Sequence, residues 1–102
     1  MQFKKVDKDY FIYIEKDEMV MDSITKFCSD KGIRNAKLSG IGAVKHTEIG
    51  AYDTIAKEYI RKKIDEVLEL ISFEGNVTLK DDKPFVHAHV VLSDHEMSTL
   101  GG

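Results

Sequence analysis

The stretch PFVHAHVVL, residues 84–92, is the part of this chain that decides its fold. It is short, rich in β-branched residues and opened by the only proline of the chain, and these features together predict a buried β-strand. Because successive side chains on a strand point to opposite faces, one face is wholly apolar and the other carries two histidines. The apolar face comprises Val86, Ala88, Val90 and Leu92, and the second face comprises Phe85, His87, His89 and Val91.

Both histidines of this strand are expected on its core side, where an imidazole without a polar partner is costly. In one explanation, each imidazole is satisfied by a backbone carbonyl, a carboxylate or a water molecule. In the other, His87 and His89 give two nitrogens to a divalent metal such as zinc, which still needs at least a third ligand. The residues alone leave both explanations open.

Length and charge bound the kind of protein. A chain of 102 residues fits a single domain, and with 42% hydrophobic residues it can bury a modest core. The net charge of −3 is not that of a general polyanion binder, so any contact with DNA depends on a local patch. The candidate DNA-contact residues are Arg61, Lys62 and Lys63, and the acidic residues beside them make a solvated mixed-charge surface the alternative.

The cysteine content and the N-terminal residues bear on location. The single cysteine, Cys28, excludes an internal disulfide and suits a reducing compartment. Residues 1–5 lack the apolar run of a signal peptide, and no segment has the length of a membrane span. We therefore expect a cytoplasmic protein that makes no membrane contact.

The N-terminal half predicts a strand, a helix and a strand pair. Residues 10–14 are β-branched and aromatic, which is typical of a strand. Helical spacing of apolar residues then predicts a helix over about residues 18–31, with Asp17 as its N-cap and Gly32 ending it in the left-handed conformation. A strand pair should follow over residues 37–52, with a bulge or bend near its two closely spaced glycines.

The next segment is ambiguous from its pattern alone. Residues 54–68 carry an apolar stripe that favours a helix, although residues 59–64 also fit a half-polar strand. Residues 69–79 are a better strand candidate, and a charged turn over residues 80–83 leads into the histidine strand.

Three further residues are candidates for a ligand pocket. His46 falls on the second strand of the pair, with Glu48 on the same face, and an exposed histidine is the alternative interpretation. Glu69 is a candidate acid, a hydrogen-bond partner for a histidine, or an edge residue. Asn76 could line a pocket. No serine or cysteine has the sequence context of a nucleophile, so no catalytic residue is predicted.

Three ordered segments resemble a known family. They are LSGIGAV at residues 38–44, LISFEGN at 70–76 and FVHAHVVLSD at 85–94, and the final Gly101-Gly102 matches the start of a Gly-Gly-His-Leu motif. Together they are similar to the plants-and-prokaryotes-conserved (PPC) domain, which is found in plant AT-hook nuclear-localised proteins. The resemblance extends from about Tyr10 to the last residue and indicates the prokaryotic stand-alone form.

This resemblance implies an α+β fold, a largely antiparallel sheet packed by one main helix, and a homotrimer. It also implies that residues 59–64 form a strand. The function it implies is a non-enzymatic, DNA-associated regulatory module. The acidic balance of the chain makes weak direct DNA binding the expectation. The alternative is a trimer that binds a metal or small ligand through His87 and His89, with enzymatic activity left open.

The chain departs from the family pattern in two places and ends within it. It has no Arg-Gly-Arg-Pro element for the DNA minor groove, and residues 66–71 lack most of the segment that plant members use for partner binding. Partner choice is therefore not carried over. We expect residues 1–102 to form one domain. Because the family pattern continues with a histidine after Gly102, this domain is expected to be either naturally short or truncated before a third ligand.

Overall fold

The computed structural model describes residues 1–102 and contains one helix and eight strands. The elements in chain order are β1 (Gln2–Val6), β2 (Asp9–Tyr13), α1 (Val20–Lys31), β3 (Ala36–Val44), β4 (Thr47–Asp53), β5 (Glu58–Ile64), β6 (Leu68–Lys80), β7 (Lys83–Ser93) and β8 (Thr99–Gly101). The strands form three sheets, whose strand orders are β1-β2, β3-β6-β7-β8 and β4-β5. The pairs β1–β2, β4–β5 and β7–β8 are antiparallel, which agrees with the predicted α+β class.

The chain divides into two compact units, and each has its own buried residues. The first unit comprises Met1–Ala36 with Val77–Val86, and the second comprises Lys37–Asn76 with His87–Gly102. The buried side chains of the first unit are Ile24, Phe27, Cys28, Val77 and Val86. Those of the second unit are Leu68, Phe73, Leu92 and Ser93. No helix in the structure is long and apolar enough to cross a membrane.

In the first unit, aromatic rings join the β1–β2 hairpin to the helix. Cross-strand pairing puts Phe3 opposite Ile12 and Lys5 opposite Tyr10, so Phe3 and Tyr10 share one face of the hairpin. Their ring centroids lie 5.1 and 5.0 Å from that of Phe27 in edge-to-face contact, a favoured geometry for aromatic pairs. The helix is therefore fixed to this hairpin through one buried ring.

The two ends of α1 differ from each other in how they are closed. As predicted, Gly32 ends the helix in the left-handed conformation, with φ 67°. The backbone N–H groups of Gly32 and Ile33 donate to the carbonyls of Ser29 and Cys28. The predicted N-cap is wrong. Met19 occupies that position without a side-chain cap, and Asp17 lies two residues earlier with φ 71°. The extended backbone at Met19 separates the Asp17 carboxylate from the first helical turn.

In the second unit, β3 is a single strand that runs through both glycines, Gly40 and Gly42. The two glycines predicted to form a bulge or bend do not separate the two strands, because the turn lies at Lys45 and His46, where His46 has φ 55°. A Cβ at Gly40 would lie 3.9 Å from the Cβ of Phe73, which is an ordinary van der Waals contact. The position therefore has room for a small side chain.

The ambiguous segment forms strand β5, as the family resemblance implied and the apolar stripe did not. The Asp53 side chain accepts hydrogen bonds from the backbone N–H groups of Ile55 and Ala56 at 2.9 and 3.0 Å. This turn, completed by Lys57 with φ 56°, reverses the chain so that β5 pairs with β4. Pairing with a neighbouring strand overrides the local helical pattern.

The hairpin formed by β6 and β7 begins at a two-residue turn, Asp81-Asp82, in which both residues have positive φ. Such turns suit the twist of hairpin strands. Along β6, the inward positions shift by one residue at Ser72–Phe73, as they do at a β-bulge. Glu69 and Asn76 are consequently both exposed on the outward side.

Candidate functional site

The histidine strand β7 has one buried face and one open face. Val86 and Leu92 are buried and Ala88 and Val90 half-buried, whereas Phe85, His87, His89 and Val91 are exposed. The division of residues between faces was predicted correctly, but the placement of the imidazoles on the core side is wrong. Apolar residues flank the histidines on their own face, so the sequence resembled a strand covered on both sides.

The two imidazoles of the open face lie side by side. The ring centroids of His87 and His89 are 5.2 Å apart, with 53° between the ring planes. No group of three or more His, Cys, Asp and Glu side chains is arranged to hold a metal ion. The pair therefore supplies two nitrogens, and a zinc ion needs at least one further ligand from elsewhere.

Close approach of β6 to β7 occurs directly beside the histidines. A Cβ at Gly75 would overlap the carbonyl oxygen of His87 and lie 2.8 Å from the Cβ of Ala88, so only glycine fits there. Because Gly75 lies against half-buried Ala88, strand alternation turns Asn76 and Glu74 to the face that carries the histidines. Glu74 was missed by the sequence reasoning, although its position two residues before Asn76 indicates the same face.

The other two pocket candidates, Glu69 and His46, lie away from the paired histidines and Asn76. Glu69 is seven residues from Asn76 along β6, which corresponds to about 23 Å of extended strand. His46 lies in the turn between β3 and β4 rather than on a strand, and its Nδ1 is 3.1 Å from Oδ1 of Asp65, with both side chains exposed. The structure thus separates these two residues from the paired imidazoles.

Alternation along β5 divides the candidate DNA-contact residues. Arg61 and Lys63 point to one face and Lys62 to the other. Arg61 Nη1 lies 3.3 Å from Oε1 of Glu48, so part of the positive charge is already paired. The three cations are exposed but do not form one continuous patch.

A depression of about 410 Å³ lies at one end of the second unit. It is lined by Lys62, Lys63, Ile64, Asp65, Glu66, Leu68, Asp94 and Leu100. Neither histidine of β7 lines it, and its cations and carboxylates lie side by side. The paired imidazoles are therefore exposed outside this depression.

The single cysteine is a buried residue of the first unit. Cys28 is buried on α1, and burial raises the pKa of its thiol. A thiol that stays protonated is a poor nucleophile. Cys28 therefore acts as a small apolar residue of the first unit.

Comparison with known proteins identifies the family. The model of the Plants and Prokaryotes Conserved (PCC) domain, the family abbreviated PPC above, matches residues 1–102. The PPC protein of Pyrococcus horikoshii is 42% identical with a TM-score of 0.85, over 87% of this chain and 62% of its own. A metal-containing protein from Archaeoglobus fulgidus is 45% identical with a TM-score of 0.75, over 81% of this chain and 59% of its own.

A candidate DNA-binding protein from Bacteroides thetaiotaomicron is 25% identical with a TM-score of 0.95, and the match covers 99% of this chain and 71% of that one. A search of curated proteins found no match. The chain spans less than two thirds of the Pyrococcus and Archaeoglobus proteins. The family match extends over the whole chain and agrees with the ordered motifs and the fold. The chain therefore belongs to the Plants and Prokaryotes Conserved domain family.

Proposed function

We propose that this chain is a non-enzymatic binding module that assembles as a homotrimer and takes part in DNA-associated regulation. Its family membership and its similarity to a candidate DNA-binding protein support the association with DNA. The module would act in the cytoplasm, where a free thiol such as Cys28 stays reduced.

Exposed apolar side chains support the assembly. Ile41 and Ile71 are large apolar residues of the second unit that remain exposed in the single chain. Small domains often gain burial by associating with copies of themselves, and the family resemblance supplies the number three. Light scattering coupled to gel filtration should give three times the 11.6 kDa mass of the chain. A monomer mass at micromolar concentration would contradict the proposal.

Our expectation of weak DNA binding rests on the distribution of positive charge. Two of the three candidate contacts share a face, and one of these, Arg61, is paired with Glu48. Few phosphates can be neutralised, so we expect affinity for duplex DNA in the non-specific range, roughly 10⁻⁴–10⁻⁶ M, with a steep loss as salt rises. Fluorescence anisotropy at two salt concentrations measures this. Nanomolar, sequence-selective binding at physiological salt would show the proposal to be wrong.

The paired imidazoles favour a second candidate function, binding of a divalent metal. Their 5.2 Å ring separation and open position suit two ligands to one ion, and a relative with 45% identity is a metal-containing protein. His87 and His89 would hold the ion as neutral rings, with water or a donor from outside the pair in the remaining positions. A bound divalent ion would supply Lewis-acid chemistry.

Calorimetric titration of zinc chloride into protein purified without an affinity tag tests this second candidate. His87→Ala and His89→Ala should each abolish binding, and affinity should fall in acid because protonated imidazole does not ligate a metal. His95→Ala is the matched control, because His95 is exposed in the segment between β7 and β8. Undiminished zinc binding by the double variant would leave the pair without a metal role.

A further inference from the structure

One face of the β4–β5 hairpin combines exposed aromatic rings with positive charge. The antiparallel register pairs Tyr52 with Tyr59, Gly50 with Arg61 and Glu48 with Lys63. Alternation puts all six residues on the same side of the two strands. We call this side the tyrosine face; its side chains are those of Tyr52, Tyr59, Arg61, Lys63 and Glu48.

The two tyrosines of this face contact each other but are largely open to solvent. Tyr52 is 53% exposed and Tyr59 is 59% exposed, and their ring centroids are 5.1 Å apart in an edge-to-face arrangement. The Arg61 guanidinium lies 5.3 Å from the Tyr59 ring centroid, within the range of a cation–π contact. The face thus presents preorganised rings next to a cation.

Gly50 leaves the middle of the tyrosine face without a side chain. A Cβ at this position would lie 3.2 Å from the Ile60 carbonyl oxygen and 3.6 Å from Cδ1 of Tyr59. Its absence keeps the ring edge of Tyr59 open beside Arg61. A flat group can therefore approach both residues.

The opposite side of the hairpin has a different composition. It carries Ile49, Ile60 and Lys62, together with the acidic pair Asp53 and Glu58 near the turn. Gly102 packs on that side, since a Cβ there would lie 3.3 Å from the Cβ of Ile49. Alternation thus keeps these two carboxylates away from the tyrosine face, where two cations stand against the single carboxylate of Glu48.

We infer that the tyrosine face binds single-stranded nucleic acid, with bases stacked on Tyr52 and Tyr59 and phosphates at Arg61 and Lys63. The inference rests on the proposed association with DNA and assigns it a strand state and a surface. Base stacking on aromatic side chains requires unstacked bases. Arg61 has five N–H donors, so its bond to Glu48 leaves donors for a phosphate. Two cations are few for a duplex, whose binding depends mainly on phosphate neutralisation.

Anisotropy of a fluorescent oligothymidine of about 15 nucleotides, a length that spans a single-strand site, tests the inference with the full chain. Tyr52→Ala/Tyr59→Ala should weaken binding about 10-fold or more, because stacking energy is lost at both rings. Tyr52→Phe/Tyr59→Phe should bind like the unmodified chain, since the rings remain. The control is Tyr13→Ala, at a tyrosine that is 65% exposed on the β1–β2 hairpin. It should leave oligothymidine binding unchanged.

Three other results would overturn the inference. Equal oligothymidine binding by the double alanine variant, with duplex binding present, would refute the tyrosine face and leave the proposed DNA association standing. Absence of binding to both oligothymidine and duplex would remove both proposals. A lower oligomeric mass of the double alanine variant, together with unchanged binding per folded chain, would assign the face to contacts between copies. Thermal unfolding of each variant confirms that it is folded before binding is compared.

Discussion

The two faces of β7 are made of alternating residues of one strand, yet the chain uses them differently. On the inward face Leu92 is only 1% exposed, whereas on the outward face its neighbour Val91 is 40% exposed. The inward side chains fix the strand in the protein interior. The side chains of His87 and His89 on the outward face form no hydrogen bond within the chain. Folding therefore does not depend on their imidazole groups. Residues that fix the fold therefore alternate along a single strand with the two proposed metal ligands, and substitutions should separate the two roles.

The largest effect on folding should come from adding a side chain where β6 approaches β7. Gly75→Val would place atoms on the His87 carbonyl and against Ala88, so the strands would have to separate. We expect the free energy of unfolding to fall by about 4 kcal/mol or more, measured by urea denaturation. The matched control is Gly42→Ala on β3, where a Cβ would meet no atom within 4 Å. Equal losses in both variants would mean that the close approach at Gly75 has no special importance.

A smaller effect should follow from shortening a buried side chain on the inward face. Leu92→Ala leaves a cavity and should lower the free energy of unfolding by about 3 kcal/mol. Val91→Ala removes a smaller, partly exposed group and should cost less than about 1 kcal/mol. The two neighbouring variants, compared by thermal and urea unfolding, measure the difference between the faces. If Val91→Ala is as costly as Leu92→Ala, the outward face is buried in the assembled protein.

The histidine variants should affect binding much more than folding. Because both rings are exposed, His87→Ala and His89→Ala should each change the free energy of unfolding by no more than about 0.5 kcal/mol. The same variants should lose zinc binding in the titration described above. A destabilisation comparable to that of Leu92→Ala would indicate that the imidazoles have a structural role instead.

Strand alternation explains why much of the fold could be predicted from the sequence. The grouping of the β7 side chains into two faces and the position of Gly32 depend on neighbours within a few residues, and both were predicted correctly. Strand β5 was identified through the family resemblance, because its pairing with β4 depends on a turn that its own apolar pattern does not encode. Strands β1 and β8 were missed, since one is mostly polar and the other has three residues.

The candidate site was predictable only in part. Alternation alone placed His87 and His89 on the same face, and their rings lie side by side. It did not show which face points outward, because both faces of β7 contain apolar residues. Tyr59 lies beside Tyr52 because β5 pairs with β4. Glu74 lies on the histidine face because β6 pairs with β7 and its inward positions shift by one residue at Ser72–Phe73. Both pairings depend on the turns between the strands. These are contacts between distant residues that a local pattern does not contain.

The smallest effect should come from the exposed charges at the start of the chain. The Met1 ammonium donates to Oε1 of Glu18 at 2.6 Å and to Oε2 of Glu15 at 3.1 Å. These hydrogen bonds, chiefly the one to Glu18, raise the pKa of the ammonium, and the ammonium in turn lowers the pKa of both carboxyl groups. The groups are exposed, so solvent screens their interaction.

The sign of the pH dependence follows from these shifts. The lowered pKa values of Glu15 and Glu18 give stability that is lost as pH falls through those values, and the raised pKa of the ammonium gives stability that is lost as pH rises through it. For the chain with a free amino group at Met1, we expect a slightly higher melting temperature between these limits. In Glu18→Gln this small maximum should flatten, while Glu96→Gln, a change at a carboxyl outside the cluster, should preserve it. A flat profile in the unmodified chain would show that even this dense group of exposed charges adds nothing measurable, in keeping with the contrast between the faces of β7.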